Sequence, residues 1–402
     1  MNIAVIFTKD ITEGGAFQYA ISISLLLENN RSAKYNFVFF TTLKNNLGIL
    51  KKHKLPAIYL SWSNLDRFVA LLAGSQLAGS IFSKVGIKRE SKLDRIFKKH
   101  DIDLVYFLSP SDLALALNRY NYIFTLWDLC FLDAPEFPEV YTNREFERRE
   151  KLYRLAIPKA VSVITDSEVT RNIIIEKYGA ARERVVYLPF LPLNTENILK
   201  GEYKQGDIDI NKKYNISGRY IFYPAQFWPH KNHIYILEGL KLLKEKYKVE
   251  IHAVFSGSDK GNLRFILNKA KELGLGNLIH YIGFVADAQL PYLYQQALAL
   301  VMPTYFGPTN IPPLEAFAAG CPVLYSDLPG ARQEVSGCAI LLKLDNPASL
   351  CQALLDILKG GPEIKALIDN GRKKIELLQK QDPWVRLKEI FDAYELKLKA
   401  RK

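Results

Sequence analysis

The chain has 402 residues, too many for one ordinary hydrophobic core, so two domains of about 150 to 200 residues each are expected. Its residues are 49% apolar and 24% charged, which excludes the disordered and fibrous classes of protein. The net charge of +12 comes without a basic motif interleaved with aromatic residues, so nucleic acid is not expected as a partner. The 4 cysteines form no CxxC pair and have no histidine at zinc-ligand spacing, so neither a disulfide framework nor a metal site is expected.

Short apolar runs alternate with longer helical patterns along residues 1–190. This rhythm is typical of parallel strands joined by crossover helices, so a first doubly wound domain is predicted there. The runs are NIAVIF (2–7), FVFFTT (37–42), DLVYFL (103–108), YIFTLW (122–127) and VSVITD (161–166). The first of them lacks the preceding basic region of a signal peptide, so a cytoplasmic location is expected.

Two glycines, Gly14 and Gly15, follow the first predicted strand at the turn into a helix. Glycine at such a turn lets backbone N–H groups approach an anion, and the helix dipole adds to the attraction. A tight turn that needs a positive φ explains the same pair, because the pattern is not GxGxxG. Both interpretations stay open.

Residues 51–99 are basic, with eleven Lys and Arg against three acids, and they include an apolar stretch at 68–82. That stretch is shorter than the roughly 18 residues that a membrane-spanning helix needs. A basic and apolar segment can hold an anionic membrane surface through burial and attraction to lipid headgroups. A solvated basic helix beside a buried one explains it equally well.

Beyond residue 187 the pattern breaks into Pro, Asn, Gly and charged residues, which predicts a linker at 191–215. The alternation then restarts, so 216–382 is predicted to form a second doubly wound domain, and 383–402 an amphipathic helix packed on one of the two. Its apolar runs are RYIFYPA (219–225), VEIHAVFSG (249–257), LIHYIGF (278–284), LALVMP (298–303), CPVLYSD (321–327) and CAILLK (338–343). Ligands of open parallel sheets bind beyond the carboxyl ends of the strands, which predicts a site in the cleft between the domains.

Lys231 lies in the stretch YPAQFWPHKNH, where Pro229 is predicted to open a helix and to place the lysine in its first turn. A cation there opposes the helix dipole, and a bound phosphate would resolve that conflict. A solvated surface lysine is the plainer explanation. His230 and His233 flank it without a third metal ligand, so packing or polar contact with a substrate is expected of them.

Glu315 follows the Pro312–Pro313 pair in PTYFGPTNIPPLEAFAAGCPV, in a predicted helix that ends at Gly320. We expect this carboxylate in the first turn, where an acid stabilises a helix by roughly 0.3 to 1 kcal/mol. A carboxylate at the carboxyl end of a strand also accepts hydrogen bonds from a ribose diol.

Other acidic residues have structural explanations. Asp166, Ser167 and Glu168 are candidates for contact with the acceptor, but a helix N-cap explains Asp166 or Ser167 as well. The carboxylates of 134–140 and 144–150 are interpreted as a charged surface turn and helix.

Several of these stretches together resemble the retaining GT-B glycosyltransferases, the large family of bacterial polysaccharide mannosyl-, rhamnosyl- and glucosyltransferases (glycosyl transferases group 1). FWPHKN, GFVADAQLPYLYQQA, PTYFGPTNIPPLEAFAAGCPV and SDLPGARQEV are similar to its carboxyl-terminal domain. FTLWDLCFLDAPEFPEVYTNREFERRE and ITDSEVTRNII are similar to its amino-terminal domain. The resemblance implies an α/β GT-B fold with two Rossmann-like doubly wound domains facing a cleft. It also implies that the first domain binds the acceptor and the second a nucleotide-diphosphate sugar, which is a substrate, with no metal or cofactor.

The resemblance assigns roles to individual positions. It implies that Lys231 binds the donor diphosphate, Glu315 the ribose, and that Asp128 lies in the acceptor cleft near the reacting carbon. It implies that Gly283, Phe284 and Val285 pass the nucleobase with their backbone, that Gln226, Gly307, Thr309, Asn310 and Ile311 line the donor sugar and phosphates, and that Gly14 and Gly15 complete the phosphate or acceptor side.

Three positions depart from the family's pattern. Gly307 stands where a first Glu is usual, Gln226 where an Arg accompanies the lysine, and Trp127 where a His precedes Asp128. The expected activity is transfer of a hexose to a glycan acceptor, linked to polyprenyl diphosphate at the inner face of the cell membrane, in the biosynthesis of a bacterial surface polysaccharide such as the O-antigen of lipopolysaccharide. Two alternatives stay open: a non-catalytic sugar-nucleotide-binding subunit of a polysaccharide synthase complex, and a nucleotide-sugar epimerase.

Overall fold

The computed structural model describes residues 1–11, 15–63, 66, 91–117, 119–189, 191–204, 206–307 and 311–400. The chain divides into two compact units. The amino-terminal unit comprises Met1–Leu129, Phe146–Phe190 and Asp382–Lys402. The carboxyl-terminal unit comprises Cys130–Glu145 and Leu191–Gln381. The short segment 130–145 therefore clusters with the second unit although both of its flanks belong to the first.

Within the described residues, the amino-terminal unit contains a parallel sheet of 7 strands in the order β3-β2-β1-β4-β5-β6-β7. The strands are β1 (Asn2–Phe7), β2 (Asn36–Thr41), β3 (Ala57–Tyr59), β4 (Leu104–Phe107), β5 (Asn121–Thr125), β6 (Ser162–Thr165) and β7 (Val185–Tyr187). Ile3 of β1 pairs with Phe37 on one side and Leu104 on the other, so β1 is central. The strand order reverses between β1 and β4.

The carboxyl-terminal unit contains a second parallel sheet, with 6 described strands in the order β10-β9-β8-β11-β12-β13. These are β8 (Tyr220–Pro224), β9 (His252–Ser256), β10 (Ile279–Tyr281), β11 (Ala299–Met302), β12 (Val323–Ser326) and β13 (Ile340–Leu342). The order reverses between β8 and β11. Two doubly wound α/β units were predicted, and both sheets confirm them.

Helices connect the strands of both sheets, as parallel pairing requires. In chain order the described helices are α1 (Gly15–Asn29), α2 (Lys44–Lys52), α3 (Lys92–Lys99), α4 (Pro138–Tyr141), α5 (Glu145–Ala156), α6 (Glu168–Tyr178), α7 (Leu193–Leu199), α8 (Ile210–Tyr214), α9 (His233–Tyr247), α10 (Leu263–Glu272), α11 (Leu290–Gln296), α12 (Ile311–Ala319), α13 (Pro329–Val335), α14 (Ala348–Lys359), α15 (Pro362–Gln379) and α16 (Pro383–Lys399). Strands covered by helices on both faces are mostly apolar. Every position is buried in β4, β6, β9, β11 and β12.

Two stretches outside the sheets differ in detail from the sequence predictions. Residues 191–215, expected to be a linker, contain α7 and α8 and cluster with the carboxyl-terminal unit. The expected terminal helix is α16, which belongs to the amino-terminal unit and buries Leu387, Phe391 and Tyr394 there. The hydroxyl of Tyr394 donates to the carbonyl of Asp103 over 3.0 Å, so this helix is tied to the start of β4.

Ser167 caps α6, which is one of the explanations that the sequence left open. Its Oγ accepts from the backbone N–H of Thr170 over 3.0 Å. The helix ends at Gly179, whose φ of 63° is left-handed and suits glycine.

Among the described residues, no helix is both long enough and apolar enough to cross a membrane. Most of the basic and apolar stretch at 51–99, including 68–82, lies outside the described residues.

Candidate functional site

The loops that follow β8 and β11 meet at the point where the strand order of the carboxyl-terminal sheet reverses. The backbone N–H of Tyr305 donates to the carbonyl of His230 over 2.9 Å, and the buried hydroxyl of Thr304 lies 3.4 Å from the same oxygen. Adjacent strands whose connections leave in opposite directions open a crevice at this position, where ligands of doubly wound sheets bind. The two loops that carry most of the predicted donor residues are therefore brought together.

Lys231 closes a one-turn 3-10 helix, Pro229–Lys231, which lies between β8 and α9. Pro229 opens a helix with Lys231 in its turn, as predicted, but this helix is a single 3-10 turn. Asn232 adopts a left-handed conformation with a φ of 55° and separates the turn from α9. The backbone of Lys231 is fixed on both sides. Its N–H donates to the carbonyl of Trp228 over 3.0 Å, and its carbonyl accepts from the hydroxyl of Tyr223 over 2.8 Å.

The amino terminus of α9 carries no acidic counter-charge of its own. Asn232 makes no side-chain capping hydrogen bond, and the first turn of this described 15-residue helix contains no acidic residue. The first N–H groups of a helix and its dipole attract anions. With Lys231 two residues before its start, α9 has the character of a phosphate-binding terminus.

His233 is a buried aromatic packing residue. Its ring stacks on Phe227 with centroids 4.3 Å apart and contacts Tyr223 at 4.9 Å, while neither ring nitrogen has a hydrogen-bond partner among the residues that the structure describes. Burial, together with the nearby charges of Lys231 and His230, lowers the pKa of His233 to about 3. The ring is therefore neutral at physiological pH, and the expectation that this histidine serves packing is confirmed.

His230 makes a contact that the sequence did not predict. Its ring nitrogen Nδ1 and its backbone N–H both bond to Oε1 of Glu139, the latter over 3.1 Å. Both side chains are largely buried, with 10% and 8% exposed. Glu139 was interpreted as part of a charged surface turn, and this was wrong, because α4 turns its carboxylate inward onto the Lys231 turn.

The segment 130–145 also contacts the loop after β11. The ring of Phe137 lies 5.3 Å from the rings of both Tyr305 and Phe306. The N–H of Gly307 donates to Sγ of Cys130 over 3.2 Å. This segment therefore covers both loops of the switch point.

Glu315 is buried, with 2% exposed, in the second turn of α12. We expected it in the first turn, but α12 begins at Ile311, because prolines need no N–H partner at the start of a helix and so Pro312 and Pro313 occupy its next two positions. The helix ends at Ala319, and Gly320 follows with a φ of 70°, as predicted.

The Glu315 carboxylate has a fixed orientation. Its Oε2 accepts a hydrogen bond of 2.9 Å from the hydroxyl of Tyr294 on α11. Burial, and then the charge of Glu315, raise the pKa of Tyr294 well above its ordinary value, so the hydroxyl stays a donor.

The predicted nucleobase residues follow β10. The carbonyl of Gly283 accepts from the N–H of Gly257 over 2.9 Å, and Gly283 itself has a φ of 71°. Phe284 is 59% exposed, whereas Val285 is buried. Phe284 therefore offers an aromatic face to solvent beside a turn that needs glycine.

The remaining predicted donor residues have these places. The carbonyl of Gly307 accepts from the hydroxyl of Tyr325 over 2.9 Å. The backbone of Gly307 has a φ of 95°, which requires glycine. Oε1 of Gln226 accepts from the indole N–H of Trp228 over 3.0 Å. Ile311 opens α12, and Thr309 and Asn310 lie outside the described residues.

Predicted residues of the acceptor side belong to the amino-terminal unit. Asp128 follows β5, and the neighbouring Trp127 packs edge-on against Tyr19 with centroids 6.2 Å apart. Gly15 opens α1, whereas Gly14 lies outside the described residues. The order of this sheet reverses between β1 and β4.

In the part of the chain that the structure describes, no group of three or more His, Cys, Asp or Glu side chains is placed to hold a metal ion.

Residues 207–374, most of the carboxyl-terminal unit, match the family model "Glycosyl transferases group 1". The chain is 24% identical to the O-antigen chain mannosyltransferase B of Escherichia coli over 277 residues, which cover 66% of this chain and 67% of that protein. Two solved structures share its fold. WaaG, a glycosyltransferase involved in lipopolysaccharide biosynthesis, aligns with 98% of this chain and 99% of its own, with a TM-score of 0.69 and 17% identity. HepE of Anabaena, in complex with UDP and glucose, aligns with 100% of each chain, with a TM-score of 0.68 and 17% identity.

The fold is thus that of GT-B glycosyltransferases, as the resemblance implied, with one Rossmann-like sheet in each unit. The family match contains the Lys231 turn, the loop after β11 and α12. The carboxyl-terminal region 207–374 thus belongs to the glycosyl transferases group 1 family, and the fold of both units agrees with it.

Proposed function

We propose that the chain is a retaining, metal-independent hexosyltransferase that moves mannose from a nucleotide-diphosphate sugar to a glycan acceptor linked to polyprenyl diphosphate. The product would be a bacterial surface polysaccharide such as an O-antigen. The name of the relative from Escherichia coli supports the sugar and the pathway, and the UDP in the HepE structure supports a nucleotide donor.

One observation carries the proposal: the 3-10 turn with Lys231 stands at the switch point, directly before the amino terminus of α9, whose first turn contains no acidic residue. A doubly charged diphosphate fits both features. The lysine supplies a positive charge, and the free N–H groups of the helix supply hydrogen bonds.

Glu315 is suited to bind the donor ribose. Its carboxylate is buried and held by Tyr294, so it is preoriented to accept hydrogen bonds from two neighbouring hydroxyl groups. The exposed ring of Phe284 and the turn at Gly283 support a nucleobase beside them. Thr309 and Asn310 complete the proposed donor site, with Ile311 at the start of α12.

The reaction needs no protein nucleophile. The bond between the anomeric carbon and the diphosphate oxygen breaks, the acceptor hydroxyl oxygen bonds to the same face of that carbon, and its proton passes to the leaving diphosphate. The chain's contribution is to stabilise the charge that develops on the diphosphate, through Lys231 and the terminus of α9. In this account Asp128 contacts the acceptor near the reacting carbon, and Gly14 and Gly15 lie on the acceptor or phosphate side.

The test is a transfer assay with GDP-mannose, UDP-glucose and dTDP-rhamnose, each with a membrane extract that contains polyprenyl-diphosphate-linked glycans, in the presence of EDTA. We expect GDP-mannose to give a new glycosidic bond with the anomeric configuration of the donor, read by NMR, and transfer from another of the three donors instead would contradict mannose as the sugar. An inverted product would contradict a retaining mechanism, and loss of activity in EDTA would contradict a metal-independent one.

Two control reactions separate the alternatives. Release of an epimerised sugar from donor alone would identify an epimerase. Tight binding of a donor with no transfer to any fraction of the extract would identify a non-catalytic binding subunit.

The proposed lipid-linked acceptor implies contact with a membrane through the basic stretch 51–99. Sedimentation with vesicles that contain anionic lipid, at low salt, tests this separately. We expect the chain to sediment with anionic vesicles and to be released as salt rises, because headgroup attraction is screened. A chain that stays in the supernatant at low salt would remove the membrane contact from the proposal.

A further inference from the structure

We propose that Glu139 is a positioning residue, which fixes His230 and thereby the turn that carries Lys231. This inference rests on the proposed role of Lys231 as the diphosphate ligand. It assigns a function in donor binding to the segment 130–145.

The Lys231 turn has no local cap. Trp228 precedes the turn and makes no side-chain capping hydrogen bond. The backbone N–H of His230 instead donates to Oε1 of Glu139, a residue 91 positions earlier in the chain. The carboxylate therefore takes the place that a capping side chain usually holds.

The ring of His230 is held from two sides. One face stacks on Phe306 with centroids 4.3 Å apart and an angle of 16° between the planes. Its Nδ1 bonds to the same Glu139 oxygen that accepts from the backbone. The ring and the backbone of one residue thus converge on a single carboxylate oxygen, which leaves the turn little freedom to rotate.

The Glu139 carboxylate uses one oxygen, Oε1, for both of its contacts with His230. Its other oxygen, Oε2, is buried and has no hydrogen-bond partner among the described residues. Burial alone would raise the pKa of Glu139, but the hydrogen bonds from His230 outweigh it and hold the pKa below its usual value, so the group is ionised at neutral pH. A buried charge is costly, and the residue that bonds to this one, His230, is next to Lys231 in the chain.

The contact between Glu139 and His230 affects the position of Lys231. Lys231 follows His230 directly, and its own backbone is fixed by Trp228 and Tyr223. If Glu139 is removed, the turn loses the restraint at its start, and the ammonium group is no longer held in one place for the diphosphate. The nucleoside part of the donor, which contacts other loops, should not be affected.

The experiment compares Glu139→Gln and Glu139→Ala with Glu136→Ala, an exposed acid of the same segment. Calorimetry gives the affinity for whichever of UDP, GDP or dTDP binds wild-type protein best, and for the matching nucleoside. We expect Glu139→Ala to lower diphosphate affinity by about tenfold, as for loss of a charged hydrogen-bond partner, and Glu139→Gln by less. Nucleoside affinity and the Glu136→Ala control should match wild type.

A double variant, Glu139→Ala with Lys231→Ala, separates positioning from general damage. If Glu139 acts through Lys231, its removal costs nothing further once the lysine is gone. Equal loss of diphosphate and nucleoside affinity, or additive losses in the double variant, would overturn the inference. If Lys231→Ala alone leaves diphosphate affinity unchanged, the proposed function fails; if only Glu139→Ala is without effect, the inference fails and the proposed function stands.

Discussion

The hydroxyl of Tyr294 and the carboxylate of Glu315 form a hydrogen bond of 2.9 Å between two helices of the carboxyl-terminal unit, and both side chains are buried. A buried carboxylate is costly unless its oxygens have partners. Tyr294 supplies a partner for Oε2 and fixes the direction in which the rest of the carboxylate points.

Glu315→Ala is expected to weaken binding of a ribonucleoside diphosphate by about 1.5 to 3 kcal/mol, the usual effect of losing a charged hydrogen-bond partner. Tyr294→Phe should cost about 1 kcal/mol, because the carboxylate remains but is less well oriented. Calorimetry with ribose and 2′-deoxyribose forms of the diphosphate checks the role. Wild-type protein should prefer the ribose form, and a Glu315→Ala variant that keeps this preference would contradict ribose binding.

Gly257 is the point where the end of β9 approaches the end of β8. A Cβ atom there would lie 2.5 Å from the carbonyl oxygen of Ala225, and the φ of 135° adds strain. Gly257→Ala should therefore displace backbone just before the Lys231 turn, destabilising the protein by about 2 to 4 kcal/mol.

The matched control for Gly257→Ala is Gly261→Ala in the same connection. Gly261 has a φ of 100° but open space around the added methyl group, so only backbone strain of about 1 to 2 kcal/mol is expected. Urea unfolding of both variants measures the difference. Equal losses of stability would show that the close approach of β8 and β9 does not matter.

His233 predicts a pH dependence of stability. Its pKa is lowered to about 3 by burial, from an ordinary value of 6.5, so the folded state binds fewer protons than the unfolded state between these values. The stabilisation is complete above pH 6.5 and is lost as the pH falls toward 3. Between pH 8 and pH 5, the wild-type protein should lose about 2 kcal/mol of stability that a His233→Phe variant, which cannot titrate at this position, does not lose.

Urea unfolding at the two pH values tests the His233 prediction. A change in packing caused by phenylalanine alters the free energy of unfolding by the same amount at both pH values. The change with pH in the stability difference between the variant and wild type therefore reports only the protonation of His233. A stability difference that does not vary with pH would mean that the ring is accessible to protons in the folded state.

Asp392 ties α16 to the amino-terminal unit. Hydrogen bonds, first from Lys34 and then from Lys388, hold its pKa below the usual range. Because the folded pKa is depressed, the stabilisation is present above about pH 4 and is lost as the pH falls through the folded pKa.

Asp392→Asn should lower stability by about 0.5 to 1 kcal/mol at pH 7, since the group is partly exposed, and by less at pH 3.5. Melting temperatures at the two pH values provide the measurement. Glu389→Gln, which breaks an exposed pair with Arg386 on the same helix, should change little. Equal melting temperatures of the two variants at pH 7 would contradict the role of Asp392 in stabilising α16.

Much of the fold could be predicted because buried parallel strands are continuous apolar runs. NIAVIF matches β1 from end to end, and the other predicted runs contain or overlap their strands. β3 and β7 gave no such signal. Both lie at the edges of their sheet, and two of the three residues of β3, Ile58 and Tyr59, are exposed.

Only those residues of the site that stand in short sequence motifs could be predicted. Lys231 and Glu315 stand out in short motifs. The turn opened by Pro229 was predicted, but not that Asn232 ends it as a 3-10 turn, and Glu315 was misassigned to the first turn because Ile311 begins α12 one residue before the prolines. The contact between Glu139 and His230 spans 91 residues. Nothing near Glu139 distinguishes it from Glu136, which is exposed.

The central claim is that Lys231 neutralises the diphosphate of a donor nucleotide, and titration calorimetry of wild-type and Lys231→Ala protein with UDP, GDP and dTDP tests it most directly. We predict that one diphosphate binds wild-type protein, and that its affinity falls by about tenfold or more in the variant while the affinity for the nucleoside stays the same. Equal affinity of both proteins for that diphosphate would contradict the account.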